Sequence, residues 1–224
     1  MKRLTASLLA VLALAVPARA DEPARCNRNA GKRVALTFDD GPHREYTEEI
    51  LKILEENGVR ATFFVIGENA GEYPDRVKMI SDAGHEIGNH TYSHAMINRL
   101  SETELKSEIE RAQKAILDAC GTEPKVFRPP YGAYNDRSIG IVEEMGFRCV
   151  LWSQDSRDWQ LPPSESIVSA IAGSLSEGDV LLFHDYNRPE SPTPSALRAL
   201  IPMAKSAGWE FVTVSELFED APTG

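Results

Sequence analysis

Arg33-Val34-Ala35-Leu36-Thr37-Phe38-Asp39-Asp40-Gly41-Pro42 is an apolar run that ends abruptly in two carboxylates and a turn. Without polar alternation, such a run reads as a strand covered on both faces, the situation of a parallel sheet flanked by helices. Gly41-Pro42 is turn chemistry, so Asp39 and Asp40 stand at the strand's C-terminal end. Neighbouring residues at a strand end point in different directions. The two carboxylates are therefore free to hold different tasks, one as a metal ligand and the other as a base.

Outward from this stretch the same rhythm repeats. Apolar runs at 33–38, 61–66, 85–88, 125–128, 147–152, 179–184 and 210–214 read as strands, with amphipathic stretches between them. In 101–120, Leu105, Ile109, Ala112 and Ile116 keep helical spacing, and Ser101 with Glu104 makes a capping box. Thr193-Pro194 opens a further helix as N-cap and first helical residue, with Pro202 expected to kink or shorten it. Gly58, Gly84, Gly121, Gly146, Gly178 and Gly208 each precede a strand, where a left-handed residue closes a helix. The expectation is an α/β fold of about seven β-α units, a closed or nearly closed parallel barrel of TIM type. An open doubly wound sheet is the alternative, which periodicity does not separate. No Gly-rich phosphate loop follows the first strand, which argues against a dinucleotide-binding domain.

The 224 residues, 42% hydrophobic and 26% charged, suit one globular domain. A net charge of −10 argues against nucleic acid as a partner. Lys2 and Arg3, the apolar stretch 8–16, and Ala18-Arg19-Ala20 have the order of a cleaved secretory signal, too short for a membrane span. Cleavage after Ala20 removes three cationic residues and no acids, taking the charge from −10 to −13. The expected organisation is a signal at 1–20, a lead-in at 21–31, one domain at 32–218 and a tail at 219–224. The expected mature protein is a monomer, secreted, periplasmic or in the cell envelope. A lipid anchor on Cys26 is disfavoured by Pro23-Ala24-Arg25 before it. Of Cys26, Cys120 and Cys149, an oxidising compartment permits one disulfide and leaves one thiol over; spacing selects no pair.

Polar clusters fall immediately after the strands. Asp39-Asp40 follows the first and His90-Thr91-Tyr92-Ser93-His94 the third. Arg128-Pro129-Pro130-Tyr131 follows the fourth, Asp155 to Trp159 the fifth, and His184-Asp185 the sixth. In β/α barrels this rim is the active face. His90 and His94, two of only five histidines, have the i, i+4 spacing of one face of a helical turn. Two imidazoles and a carboxylate with an open fourth position form a catalytic zinc set. The helical protease motif H-E-x-x-H is absent, so the base must come from elsewhere, and Asp39 is the natural candidate. Arg128 reads as an organiser of a site carboxylate, and the Tyr131 N–H, after two prolines, as a fixed oxyanion donor. Trp159 and Leu182 can wall an apolar slot, and His184 suits proton donation. His43 and His85 read as structural. Taken singly each cluster has a bland reading: an Asp-rich turn, surface histidines, a rim salt bridge, core packing. Five on one rim outweigh it.

In this order the motifs resemble the polysaccharide deacetylase family, the NodB homology domain of carbohydrate esterase family 4. The resemblance spans roughly residues 32–218: T-F-D-D-G-P at 37–42, H-[ST]-x-x-H at 90–94, R-P-P-Y at 128–131, D-x-x-D-W at 155–159 and L-x-H at 182–184. It implies a distorted β/α barrel and a divalent metal, most often zinc, with cobalt, manganese or nickel as substitutes, on Asp40, His90 and His94. It implies Asp39 as base held by Arg128, and His184 as acid tuned by Asp158. Tyr131 is then the oxyanion donor, and Trp159 and Leu182 line the acetyl pocket. The implied activity is N-deacetylation of GlcNAc- or MurNAc-type sugars in peptidoglycan or chitin-like oligomers. Xylan-type O-deacetylation and a non-catalytic cell-wall glycan-binding protein are the alternatives.

Overall fold

The computed structural model describes residues 22–185 and 190–219. The expected signal at 1–20 and residues 220–224 of the expected tail lie outside the described residues.

Among the described residues, eight strands form one sheet: β1 (Arg33–Asp39), β2 (Thr62–Val65), β3 (Glu86–Asn89), β4 (Val126–Phe127), β5 (Arg148–Cys149), β6 (Gln154–Asp155), β7 (Val180–His184) and β8 (Glu210–Val212). The order is β5-β4-β3-β2-β1-β7-β6, with β8 paired to the start of β1. Every strand pairing is parallel. The sheet curls into a distorted barrel, as expected. The expected fifth run, 147–152, splits into β5 and an irregular stretch, and β6 adds a strand that the sequence reading did not contain. Residues 22–31 do not stay outside this unit: Ala24 bridges Val150 and Cys26 bridges Asp179.

The helices are α1 (Tyr46–Asn57), α2 (Gly67–Glu72), α3 (Pro74–Asp82), α4 (Glu102–Cys120), α5 (Asp136–Glu144), α6 (Ser164–Ser174), α7 (Thr193–Ser206) and α8 (Val214–Phe218). Ser101 and Glu104 cap α4 reciprocally. Helix α7 differs from expectation. Pro192 is its N-cap, Thr193 is already helical, and the helix runs through Pro202. The Thr193 hydroxyl is taken by Asp158, which leaves it no part in capping. Gly58, Gly84, Gly121, Gly146 and Gly208 close helices with positive φ; Gly178 also has positive φ but stands in a turn beyond α6, which ends at Ser174.

Strand alternation decides what reaches the site. Val34, Leu36 and Phe38 of β1, Phe63 and Val65 of β2, and Leu181 and Phe183 of β7 join one large core with the helices. The intervening Ala35, Phe64 and Val180 belong to a second core with Val126, Val150 and Val212. Because side chains alternate with period two, Thr37 and Asp39, and Leu182 and His184, share the face of that second core. Register then sets them level: Asp39 pairs with His184 across β1–β7, Val65 with Asn89 across β2–β3, and Asn89 with Phe127 across β3–β4. The residues that follow, Asp40, His90 and Arg128, leave the sheet along one edge.

Candidate active site

Arg128 is fully buried, and every contact of its guanidinium points inward. Nη1 donates to Asp39 Oδ1 and to Thr37 Oγ1, both at 2.7 Å. Nε donates to the Val150 carbonyl at 3.2 Å and Nη2 to that of Leu151 at 3.1 Å. Its plane lies over the Phe64 ring, 4.1 Å from the centroid. A buried charge persists only when paired and hydrogen-bonded, and here both conditions hold. Asp39 Oδ1 is thereby committed to Arg128, while Oδ2 is turned toward His90, 3.8 Å from Nε2.

His90 and His94 do not lie on a helix. They belong to an irregular loop after β3, in which Thr91 and His94 both take positive φ, 63° and 58°. The loop, rather than a helical i, i+4 face, brings the rings together, with centroids 5.1 Å apart. Its backbone is clamped from two sides. The Thr91 and Tyr92 carbonyls accept from Gly67 and Glu68 at the start of α2. The Glu108 carboxylate, on α4, accepts from Tyr92 N–H, Ser93 N–H and Ser93 Oγ at 2.8–3.0 Å.

The Nδ1 of His90 lies 2.7 Å from the Arg128 carbonyl. A carbonyl only accepts, so the proton sits on Nδ1 and the Nε2 lone pair faces Asp40. Asp40 Oδ1 is 3.4 Å from His90 Nε2 and 3.1 Å from His94 Nε2. Burial alone would raise the Asp40 carboxyl; the two imidazoles outweigh it and hold the group well below the usual carboxylate range. With neutral imidazoles, however, buried Oδ1 has no hydrogen-bond partner. Three ligand atoms within 4.8 Å of one another, facing each other as acceptors, fit a divalent cation and little else.

Across the cavity, His184 Nδ1 donates to Asp158 Oδ1 at 2.7 Å. Asp158 Oδ2 accepts from His184 N–H at 2.8 Å and from Thr193 Oγ1 at 2.6 Å, so the fully buried carboxylate is fixed through both oxygens. Burial would lower the His184 pKa, but the hydrogen bond and charge of Asp158, with Asp40 and Asp39 behind, push it up to about 9. Asp39, Asp40, His90, His94, Tyr131, Trp152, Asp155, Trp159, Leu182 and His184 line a cavity of about 420 Å³.

The polysaccharide deacetylase family model matches residues 27–150. A peptidoglycan-N-acetylglucosamine deacetylase of Bacillus cereus is 41% identical over 191 residues, covering 84% of this chain and 89% of that protein. The chain belongs to the polysaccharide deacetylase family. A chitooligosaccharide deacetylase of Azorhizobium caulinodans is 34% identical over 200 residues, covering 84% of this chain and 95% of the relative. Among solved structures, the Bc1960 peptidoglycan N-acetylglucosamine deacetylase superposes with a TM-score of 0.84 at 36% identity, covering 88% of this chain and 92% of the other.

In this member of the polysaccharide deacetylase family, the ten expected site residues converge. Eight line the cavity, and Arg128 and Asp158 stand directly behind Asp39 and His184. Tyr131 takes φ 60° between Pro130 and Gly132, its ring 4.5 Å from that of His94. Trp152 and Asp155 also line the cavity; Asp155 opens the D-x-x-D-W motif but had no role assigned, and for Trp152, which the sequence reading passed over, an aromatic at the end of an apolar run was the available signal. Asp185, named beside His184 among the rim clusters, also had no role assigned. It is buried beneath Gly41, where a Cβ would come within 2.1 Å of its carboxylate, and accepts from Thr47 Oγ1 at 2.5 Å. His43 accepts from the Glu45 and Tyr46 amides through Nδ1, and His85 from Ala61, as structural readings require. The three cysteines are free thiols, with no disulfide between them.

Proposed function

We propose that this chain is an exported, metal-dependent hydrolase that removes N-acetyl groups from GlcNAc-type sugars of peptidoglycan or chitin-like oligomers. One observation carries the reading. An orphaned buried carboxylate oxygen and the imidazoles of His90 and His94 converge in the same cavity as a second, independently held carboxylate and a protonated histidine. The similarity to peptidoglycan and chitooligosaccharide deacetylases supports the substrate class. The n-region, apolar run and A-x-A site support export.

Asp40, His90 and His94 would hold the cation, zinc being suited to this donor set. Bound there, it supplies positive charge that polarises the acetamide carbonyl and acidifies water. The remaining steps belong to the chain's own groups. Asp39, immobilised through Oδ1 by Arg128, uses Oδ2 to take the proton of the attacking water. The Tyr131 N–H, which makes no hydrogen bond to the described residues, donates to the oxyanion of the tetrahedral adduct. His184, protonated at neutral pH and oriented by Asp158, delivers a proton to the sugar nitrogen as the C–N bond breaks. Acetate and a free amine leave. Trp159, Trp152 and Leu182 give the acetyl methyl an apolar wall.

The deciding experiment separates the adjacent carboxylates. Asp39→Asn should retain stoichiometric metal yet lose acetate release from N-acetylglucosamine oligomers by ~10²-fold or more. Asp40→Asn should lose metal first. Metal loss in Asp39→Asn together with retention in Asp40→Asn would reverse the assignment.

A further inference from the structure

Residues 24–28 make contacts that the chemistry above does not use. Ala24 pairs in parallel with Val150: its N–H donates to the Cys149 carbonyl at 3.2 Å and its carbonyl accepts from Leu151 at 2.8 Å. Arg25 Nη1 reaches the Trp152 carbonyl at 3.5 Å. The other end is fastened elsewhere. Asn27 N–H donates to Gly178, its buried Nδ2 donates to Leu217 at 2.7 Å, and Arg28 bonds the Glu177 carbonyl and the buried Asp179 carboxylate. The segment therefore joins the edge beyond β5 to the start of β7.

The stretch it pins is the one that orients Arg128. β5 ends the strand order, so on its outer side among the described residues this segment stands where another strand would. Val150 and Leu151 present their carbonyls inward to Arg128 Nε and Nη2, and Nη1 of the same rigid fork reaches Asp39. A planar guanidinium held at two nitrogens has little freedom at the third. Displacing 150–151 therefore displaces the donor on Asp39.

We propose that residues 24–28 form a strap that positions the Arg128–Asp39 pair through the backbone of 150–151. The catalytic consequence rests on the reading of Asp39 as base; the positioning itself does not. Ala24 and Arg25 are positioning residues, acting through that backbone and Arg128.

The test uses the full chain. Ala24→Pro removes the donor to Cys149, Ala24→Ser keeps it, and Arg25→Ala removes only the bond to Trp152. Two readouts are taken: kcat against KM on an N-acetylglucosamine oligomer with metal content measured, and solvent exchange of the Arg128 Nε–H resonance, assigned by its loss in Arg128→Lys. Expected for Ala24→Pro is about a tenfold loss in kcat at unchanged KM and metal content, the scale of a sub-ångström misplacement. Arg128 Nε–H exchange should accelerate several-fold, and Ala24→Ser should restore both. A lower melting temperature with unchanged kcat and unchanged exchange would overturn the proposal. If Ala24→Pro does not fold, Arg25→Ala decides by the same two readouts. If the unmodified chain releases no acetate, the base reading fails, and the exchange rate alone sustains or overturns the strap.

Discussion

Thr193 donates to a carboxylate already bonded to the backbone and ring of His184, so three hydrogen bonds hold Asp158 at both oxygens. The hydrogen bond to Asp158, and after it the charge of Asp158, are the largest influences favouring protonated His184, against the burial that opposes it. The sign follows directly. With Asp158 present, the acid form persists up to about 9; without it, burial dominates and moves the titration down. Asp158→Asn should therefore shift the alkaline limb of the kcat–pH profile to lower pH and slow N-deacetylation at pH 8. An unmoved limb would remove His184 from proton transfer. His184→Asn should slow an N-acetylated oligosaccharide more than an activated acetyl ester, because an amine leaves poorly until protonated. Equal losses on both would give His184 a supporting role only.

A loop that carries the two histidines of the proposed metal site needs its own supports, and helix α4 supplies the main one. Glu108 takes three donors from Tyr92 and Ser93. The start of α2 takes two carbonyls from the other side, and Gly67 allows that approach. A Cβ there would lie 2.6 Å from the Tyr92 ring and 2.8 Å from the Ala112 Cα. Glu108→Ala removes the acceptor of two loop N–H groups, one part-buried and one exposed, at about 0.5–1.5 kcal/mol for each lost bond. The expected result is roughly tenfold weaker zinc binding by competition titration, with helicity unchanged and Glu108→Gln intermediate. Zinc affinity equal to that of the unmodified chain would show that the loop holds its shape without the clamp. The same loop shows where spacing misleads. Residues four apart share a helical face, but they can also meet across a loop whose intervening residues reverse direction with positive φ, as Thr91 does.

On the scale of the whole molecule, the proposed cation would be linked to the fold, since Asp40 follows β1 and His90 and His94 follow β3. A ligand at 100 times its Kd stabilises by about 2.7 kcal/mol, or roughly 5–10 °C for a chain of this size. Zinc added to chelator-stripped protein should raise the melting temperature by that amount, and His94→Ala should abolish the rise. An undiminished rise in His94→Ala would place the binding elsewhere. The sequence by itself determined every strand but β6, and the rim. The apolar runs ending at Asp39 and His184 are local patterns, and covering both faces of a parallel sheet demands them. It also determined the residue types of the site, because each motif lies within six consecutive residues. Only the tertiary structure decided that Arg128 is buried rather than on the rim, and that Thr193 serves Asp158 instead of capping a helix. Trp152 and Asp185 were likewise decided by folding, as was the pairing of Ala24 with Val150. These contacts join residues far apart in the chain, where period and propensity carry no information, and only sheet register and curl bring them together.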